Sequence, residues 1–295
     1  MNDAPLSHMD DASLYGDFTS QAQIDAQYNA GAAVPGWADY PRRWAADSAA
    51  LRAQLGGRLD VSYGPTLDET LDVFPAGRAN APAFVFLHGG YWRAMSSKDF
   101  SSIATGLLAH GITTVVVNYA LAPKVGIDEI ARQCRAAVAW TLRELGASAV
   151  VVGGHSAGGH LGAMCLQARW AEDYGLAADP LAGAVLVSGI YDIAPLRHSY
   201  LQPQVRLDDG VVARCSPLFH IRACRTPLLV TWGGDESAEF ARQSTGFHES
   251  WRAAGNASEL LPIPGAHHFS VLDGFVDAGS AVCRWIARRL GAGAV

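Results

Sequence analysis

Gly154-His155-Ser156-Ala157-Gly158 is the stretch around which the chain is organised. It lies between an apolar run at residues 149–152 and a helix-forming stretch that opens at Gly159. A serine between two glycines in this context is typical of a sharp turn at the carboxyl end of a strand, which leaves the hydroxyl exposed. Side chains at the glycine positions would collide with the neighbouring strand and helix. The pattern therefore predicts that Ser156 is a nucleophile.

The composition limits the kinds of partner that we expect. The 295 residues are 49% hydrophobic and 17% charged, which fits one globular domain with a large core. The net charge is -6 and no stripe of Lys and Arg is present, so we expect no nucleic-acid partner. The longest apolar runs are strand-length, so we expect no membrane span. Residues 1–11 do not resemble a secretory signal, and we expect a cytoplasmic protein.

The cysteines and histidines predict neither disulfides nor a metal site. The five cysteines are scattered without a C-x-x-C pair, which is typical of reduced, packed thiols. The histidines do not occur at the spacing of metal ligands on a helix. The first strand is not followed by the glycine pattern of a dinucleotide site, and we expect no cofactor.

The chain changes character near residue 59. Residues 1–58 are polar and helical, with helices expected over 21–29 and 41–55, and we interpret them as an N-terminal arm or cap. Residues 59–295 form the second unit, in which residues 59–63 and 70–74 predict an antiparallel hairpin. Strands and helices then alternate, which indicates one mainly parallel sheet with helices on both faces. The expected strands are 83–87, 113–119, 149–152, 182–188, 227–232 and 260–263; the expected helices are 127–145, 159–170, 238–254 and 280–290, and 197–214 is expected to be irregular.

Two histidines and three acids compete to complete the chemistry of Ser156. Ligands bind beyond the carboxyl ends of the strands of such a sheet, so the loops there should carry the partners. A serine needs a base to take its proton and an acid to orient that base. For the base we prefer His268 over His267, because it lies three residues past Gly265 and directly before Phe269. The acids that follow the preceding strands are Glu236, which we prefer, Asp235 and Asp192.

The loop after the first parallel strand, His88-Gly89-Gly90-Tyr91-Trp92, predicts an oxyanion-binding site. Glycine lets backbone N–H groups approach a substrate oxygen closely, and the N–H of Ala157 is expected to complete the set at a helix N-terminus. The oxyanion donors are thus expected at Gly89, Gly90, Tyr91 and Ala157. We interpret His88 as a hydrogen-bonding support for this loop.

Aromatic side chains next to these loops are candidates for a substrate pocket. Tyr91, Trp92 and Phe269 lie close to the predicted catalytic residues in sequence, although aromatic side chains in general are also common in cores. His155 and His160 flank Ser156 too closely to act as its base. We interpret both as packing or polar-network residues.

With these residues assigned, the chain resembles the α/β-hydrolase superfamily, and within it the kynurenine formamidase branch that is related to hormone-sensitive-lipase-like esterases. The resemblance extends from about Tyr28 to the C-terminal helix. It implies Ser156 as nucleophile, Glu236 as acid and His268 as base, although some members have Asp at the acid position. The stretches that carry it are 88–92, 118–123, 154–158, 188–192, 236–240 and 242–244.

We therefore expect a serine hydrolase that cleaves an aryl formamide, similar to N-formylkynurenine, or a related small amide or ester. The alternative is a carboxylesterase for short-acyl or aryl esters. A hypothesis from another class is a binding protein that keeps this fold without catalysis. The expected partner is a small-molecule substrate, and the chain is also a candidate homodimer.

Overall fold

A computed structural model describes residues 13–292 and contains one eight-stranded sheet. The strand order is β1-β2-β4-β3-β5-β6-β7-β8. The strands therefore follow chain order from one edge of the sheet to the other, except that β3 and β4 exchange places. The strands are β1 (Arg58–Ser62), β2 (Thr70–Phe74), β3 (Ala83–Leu87), β4 (Thr113–Val117), β5 (Val150–His155), β6 (Gly183–Val187), β7 (Leu228–Gly233) and β8 (Ser258–Ile263).

The sheet is parallel except at its first edge. β1 pairs with β2, and β2 pairs with β4, in antiparallel register. All pairs from β4 through β3 to β8 are parallel. The hairpin and the mainly parallel sheet are therefore as the sequence predicts.

Helices cover both faces of this sheet. The α-helices are α1 (Gln21–Tyr28), α2 (Ala30–Ala33), α3 (Asp39–Leu55), α4 (Ala104–Ala109), α5 (Ile127–Glu144), α6 (Ala157–Leu166), α7 (Trp170–Tyr174), α8 (Gln202–Val205), α9 (Asp209–Cys215), α10 (Ala238–Ala253), α11 (Asp273–Val276) and α12 (Ala281–Arg289). Short 3-10 turns occupy Ser97–Asp99, Ser101–Ile103, Ala194–His198, Pro217–His220 and Ser270–Leu272.

Two stretches differ from the sequence prediction. The helix expected over 159–170 begins earlier, at Ala157, and ends at Leu166, before a separate helix starts at Trp170. The stretch 197–214, expected to be irregular, contains α8 and most of α9. These helices are only four and seven residues long, and packing rather than helical periodicity stabilises helices of this length.

The central strands are buried on both faces, as their continuous apolar runs predict. Alternate side chains of one strand enter different cores: Val85 packs in the cluster that contains α5 and α6, whereas Phe84 and Phe86 pack in the cluster that contains α4 and α12. The five cysteines are free and buried, which confirms the prediction of packed thiols.

The stretch that the sequence predicts to be an arm contains α1–α3, of which α1 packs against α10 and residues 194–198 and α3 packs beside residues 97–103. The outermost parts of the two proposed units, residues 1–12 and 293–295, lie outside the described residues. Helices within residues 13–292 all lack the length and apolar character that a bilayer span requires.

Candidate active site

Ser156 occupies the turn between β5 and α6 in a strained backbone conformation, with φ of 57° and ψ of -119°. L-residues rarely adopt a positive φ, so the surrounding structure has to hold this conformation. A Cβ atom at Gly158 would overlap the carbonyl of Leu87, and one at Gly154 would overlap the backbone of Gly158. The two glycines are therefore required because strand β3 and helix α6 approach the turn so closely.

His268 lies beside the turn and is oriented by Glu236. Its Nδ1 lies 2.6 Å from Oε2 of Glu236, and the side chain of Glu236 is fully buried. This hydrogen bond fixes the imidazole and leaves Nε2 available on the other side of the ring. Because His268 and Ser156 line the same cavity, the arrangement can take a proton from the serine hydroxyl.

Ser188 is a positioning residue that the sequence reasoning did not identify. Its Oγ donates to Oε1 of Glu236 at 2.6 Å, and the Gly233 N–H donates to the same oxygen at 2.6 Å. Ser188 directly follows β6 and has a φ of 52°. The sequence feature that could have identified Ser188 is its position at the carboxyl end of a predicted central strand.

The alternative base and acids have other partners. Nε2 of His267 lies 3.0 Å from the hydroxyl of Tyr40, on the arm, and its Nδ1 accepts from backbone N–H groups. Asp192 accepts from the Tyr15 hydroxyl and from the backbone of Ala194. Asp235 is exposed, and its N–H donates to the carbonyl of Ala266. The structure thus brings Glu236, rather than the other two acids, to His268.

The glycine loop after β3 packs directly against the serine turn. A Cβ atom at Gly89 would lie 3.2 Å from Cβ of Ser156, and Gly90 has a φ of 107°. Within residues 13–292 no acceptor takes the N–H groups of Gly90 or Tyr91. Ala157 is the first residue of α6, where N–H groups have no partner inside the helix. These donors can converge on an oxygen beside Ser156.

His88 is buried beneath the glycine loop. Its Nδ1 lies 2.8 Å from the carbonyl of Gly89, its ring stacks on Tyr119 at 4.1 Å, and the Tyr119 hydroxyl donates to the carbonyl of His88. Burial lowers the pKa of His88 to about 4, so the ring is neutral near pH 7. The contacts agree with a supporting role for this residue.

Trp92 does not reach the cavity beside Ser156. Its ring is fully buried, and its Nε1 donates to Nδ1 of His160 at 3.2 Å, while Nε2 of His160 lies 2.7 Å from the carbonyl of Cys215. Burial lowers the pKa of His160 to about 4. Both residues therefore belong to a polar network in the core, whereas Tyr91 and Phe269 line the cavity.

The cavity has a volume of about 250 Å³, and aromatic rings form much of its lining. The arm supplies one wall through residues 29–31, Trp37 and Trp44, and Trp37 stacks on Phe269. His155 also lines it, and burial holds the pKa of its ring well below the usual range. The aromatic lining residues are Trp37, Trp44, Tyr91, Phe100, Tyr200 and Phe269.

The arm is hydrogen-bonded to the loops that carry the site. The hydroxyl of Tyr91 donates to the carbonyl of Tyr28, and Oγ of Ser237 donates to the carbonyl of Gln27 at 2.6 Å. The hydroxyl of Tyr28 in turn donates to the carboxylate of Glu239 at 2.6 Å. The arm therefore forms one wall of the cavity and is bound to the loops that carry the site. The spacing of residues in the sequence could not reveal these contacts.

Comparison with known proteins shows that this chain is similar to hydrolases. Residues 84–272 match a family model described as alpha/beta hydrolase fold. A kynurenine formamidase of Danio rerio is 29% identical over 241 residues, which cover 79% of this chain and 82% of that protein. The esterase LipQ of Mycobacterium tuberculosis is 24% identical, over 77% of this chain and 58% of that protein.

Among solved structures, a protein from Silicibacter sp. that is described as a candidate thioesterase has a TM-score of 0.81 to this chain. It is 30% identical in sequence and covers 89% of this chain and 98% of its own. The similarity therefore includes the N-terminal part that lies outside the family model.

Proposed function

Because this chain belongs to the α/β-hydrolase family, we propose that it is a serine hydrolase in which Ser156 is the nucleophile, His268 the base and Glu236 the acid. The observation that carries the proposal is the pair of His268 and Glu236, joined at 2.6 Å beside a strained serine that lines the same cavity. This combination matches the roles that nucleophilic catalysis by serine requires.

The reaction proceeds through an acyl-enzyme. Oγ of Ser156 attacks the carbonyl carbon, and its proton passes to Nε2 of His268. The imidazolium then donates this proton to the leaving amine or alcohol as the bond to the carbonyl carbon breaks. A water molecule, deprotonated by His268, attacks the acyl-enzyme, and the carboxylic acid leaves as Ser156 regains its proton.

The negative oxygen of each tetrahedral intermediate needs hydrogen-bond donors. The N–H groups of Gly89, Gly90, Tyr91 and Ala157 are the proposed donors. Their support is the contact of the glycine loop with Ser156 and the lack of another acceptor for Gly90 and Tyr91 within residues 13–292. A donor of this kind typically contributes about 10²–10³ in rate.

The proposed substrate is an aryl formamide similar to N-formylkynurenine. The aromatic lining of the cavity, which includes Tyr91 and Phe269, suits a planar ring, and the relative from Danio rerio is named kynurenine formamidase. A carboxylesterase for short-acyl or aryl esters is the second candidate, supported by the likeness to the esterase LipQ. A cytoplasmic location and a homodimer remain predictions from the sequence.

The deciding experiment compares kcat/KM for N-formylkynurenine, p-nitrophenyl acetate and p-nitrophenyl butyrate. We expect the formamide to be the best substrate, and Ser156→Ala to reduce its turnover by roughly 10⁴-fold or more. Ser62→Ala, on the exposed surface of the hairpin, is the matched control and should retain full activity.

Each other result has a defined meaning. Turnover of the esters with negligible turnover of the formamide would reject the formamidase and leave the carboxylesterase. If Ser156 failed to react with a fluorophosphonate probe and no substrate turned over, the catalytic assignment itself would be rejected.

A further inference from the structure

Arg93 places a positive charge in a cavity whose other lining residues are aromatic, aliphatic or polar but uncharged or histidine. It directly follows the loop of residues 88–92 and lines the cavity together with Ser156 and His268. Among the described residues that line this cavity, Arg93 is the only Lys or Arg, and none is Asp or Glu. A guanidinium at the wall of an apolar pocket is a strong donor for a planar anion.

The neighbours of Arg93 orient its charge without neutralising it. The side chain donates a hydrogen bond to Oε1 of Gln204, which is uncharged, and the uncharged Tyr200 lines the same cavity. Within residues 13–292 no carboxylate forms an ion pair with Arg93. The arginine is thus held in place with its charge uncompensated by the protein.

The carboxylates on the adjacent elements are engaged elsewhere. Asp25, on α1, accepts from the backbone N–H of Tyr200 and from the amide of Gln21. The buried carboxylate of Glu236 is surrounded by Ser188, Gly233 and His268. A ligand in the cavity can therefore supply the negative charge that pairs with Arg93.

We propose that Arg93, with the hydroxyl of Tyr200, binds a carboxylate on the substrate, so that the enzyme prefers aryl formamides or esters that carry a negative charge away from the cleaved bond. This inference rests on the proposed function, because it assigns a specificity residue to the same cavity. In this arrangement the ring lies among the aromatic side chains, the scissile carbonyl lies at Ser156, and the carboxylate lies at Arg93.

The test measures formate release from N-formylkynurenine and from the analogue in which its carboxylate is replaced by a carboxamide. We expect the ratio of the two kcat/KM values to favour the carboxylate in the wild type. Arg93→Gln should lower this ratio by roughly 10- to 100-fold, mainly through KM, and Arg93→Lys should restore part of it. Arg42→Gln removes an arginine that is exposed on the arm, and it should leave the ratio unchanged.

A binding measurement separates this inference from the catalytic proposal. Ser156→Ala protein is titrated by calorimetry with both compounds, and the same titration is made in the Ser156→Ala, Arg93→Gln double variant. Tighter binding of the carboxylate, lost in the double variant, would support the anion site even if the wild type released no formate. Equal affinities of the Ser156→Ala protein for the two compounds, or a preference for the carboxylate that survives in the double variant, would overturn it.

Discussion

The carboxylate of Glu236 receives hydrogen bonds from three sides: Ser188 Oγ, the Gly233 N–H and His268 Nδ1. Its neighbour Asp235 is exposed and makes none of these contacts. Since adjacent residues of a turn point in different directions, only one of the two acids can orient the histidine. The side chain that does so is buried, which strengthens its interaction with the imidazolium formed during turnover.

We expect Glu236→Gln to reduce kcat/KM by roughly 10²- to 10⁴-fold, because the amide no longer stabilises the imidazolium or its required tautomer. The matched variant Asp235→Asn should keep kcat/KM within about threefold of the wild type. Steady-state kinetics of both variants, with circular dichroism to verify folding, make the comparison. A large loss of kcat/KM in Asp235→Asn but not in Glu236→Gln would show that Asp235, and not Glu236, is the acid.

The candidate catalytic residues were predictable from the sequence where their position after a strand determines where they lie in the fold. Ser156, Glu236 and His268 each follow a parallel strand, and the carboxyl ends of such strands meet at one edge of a sheet. The burial of Trp92 was not predictable, because a positive φ at Tyr91 and at Trp92 redirects the chain after the glycines. Likewise, nothing in the sequence paired Ser188 with Glu236.

At the scale of elements, α1 is attached to α10 through Tyr28. Its hydroxyl donates to Glu239 and accepts from the amide of Gln243 at 3.0 Å, and the ring is fully buried. Glu239 also pairs with Arg242, so its charge is not isolated if Tyr28 is changed. The contact nevertheless determines how the arm sits over the cavity.

Tyr28→Phe should lower the free energy of unfolding by about 1–2 kcal/mol, because it removes a buried hydrogen bond to a charged group. The looser arm should also be cleaved faster by a protease within residues 29–38. Tyr174→Phe, at the end of α7, serves as the control and should affect neither quantity. Urea denaturation and limited proteolysis measure the two effects; unchanged cleavage of Tyr28→Phe would show that this contact does not hold the arm.

The strands and the longer helices were predictable from the sequence, whereas the shortest helices were not. Short extended segments and continuous apolar runs predicted all eight strands, and the helical stretches between them predicted helices such as α5 and α10. By contrast, α2, α8 and α11 are four residues each and carry no periodic signal. Their conformation depends on tertiary contacts with residues far away in the chain, which a local pattern does not contain.

At the scale of the whole molecule, the buried neutral histidines link folding to pH. Burial lowers the pKa of His88 and His160 to about 4, and it also lowers the pKa of His155 well below the usual range. The unfolded chain binds a proton at each of these residues below about pH 6.5, whereas the folded chain does not. Their contribution to stability is therefore complete above that pH and is lost as the pH falls towards 4.

Lowering the pH from 7 to 5 should reduce the free energy of unfolding by about 2 kcal/mol for each of His88 and His160. His160→Gln should remove the contribution of His160 to this pH dependence. The free energy of unfolding of the variant should therefore change less between pH 7 and pH 5 than that of the wild type, even if the variant is less stable at both pH values. His220→Gln, at an exposed position, is the control and should follow the wild type. Urea denaturation at pH 7 and 5 checks this, and identical pH slopes for His160→Gln and the wild type would contradict it.

The contact between Tyr28 and Glu239 spans 211 residues, and this separation has a consequence for synthesis. A ribosome releases the arm long before it makes the helix to which the arm binds. Trp37 must therefore remain without the ring of Phe269 while nearly the whole sheet is translated. The wall that the arm gives to the cavity can be completed only after the loop that carries Phe269 has been made.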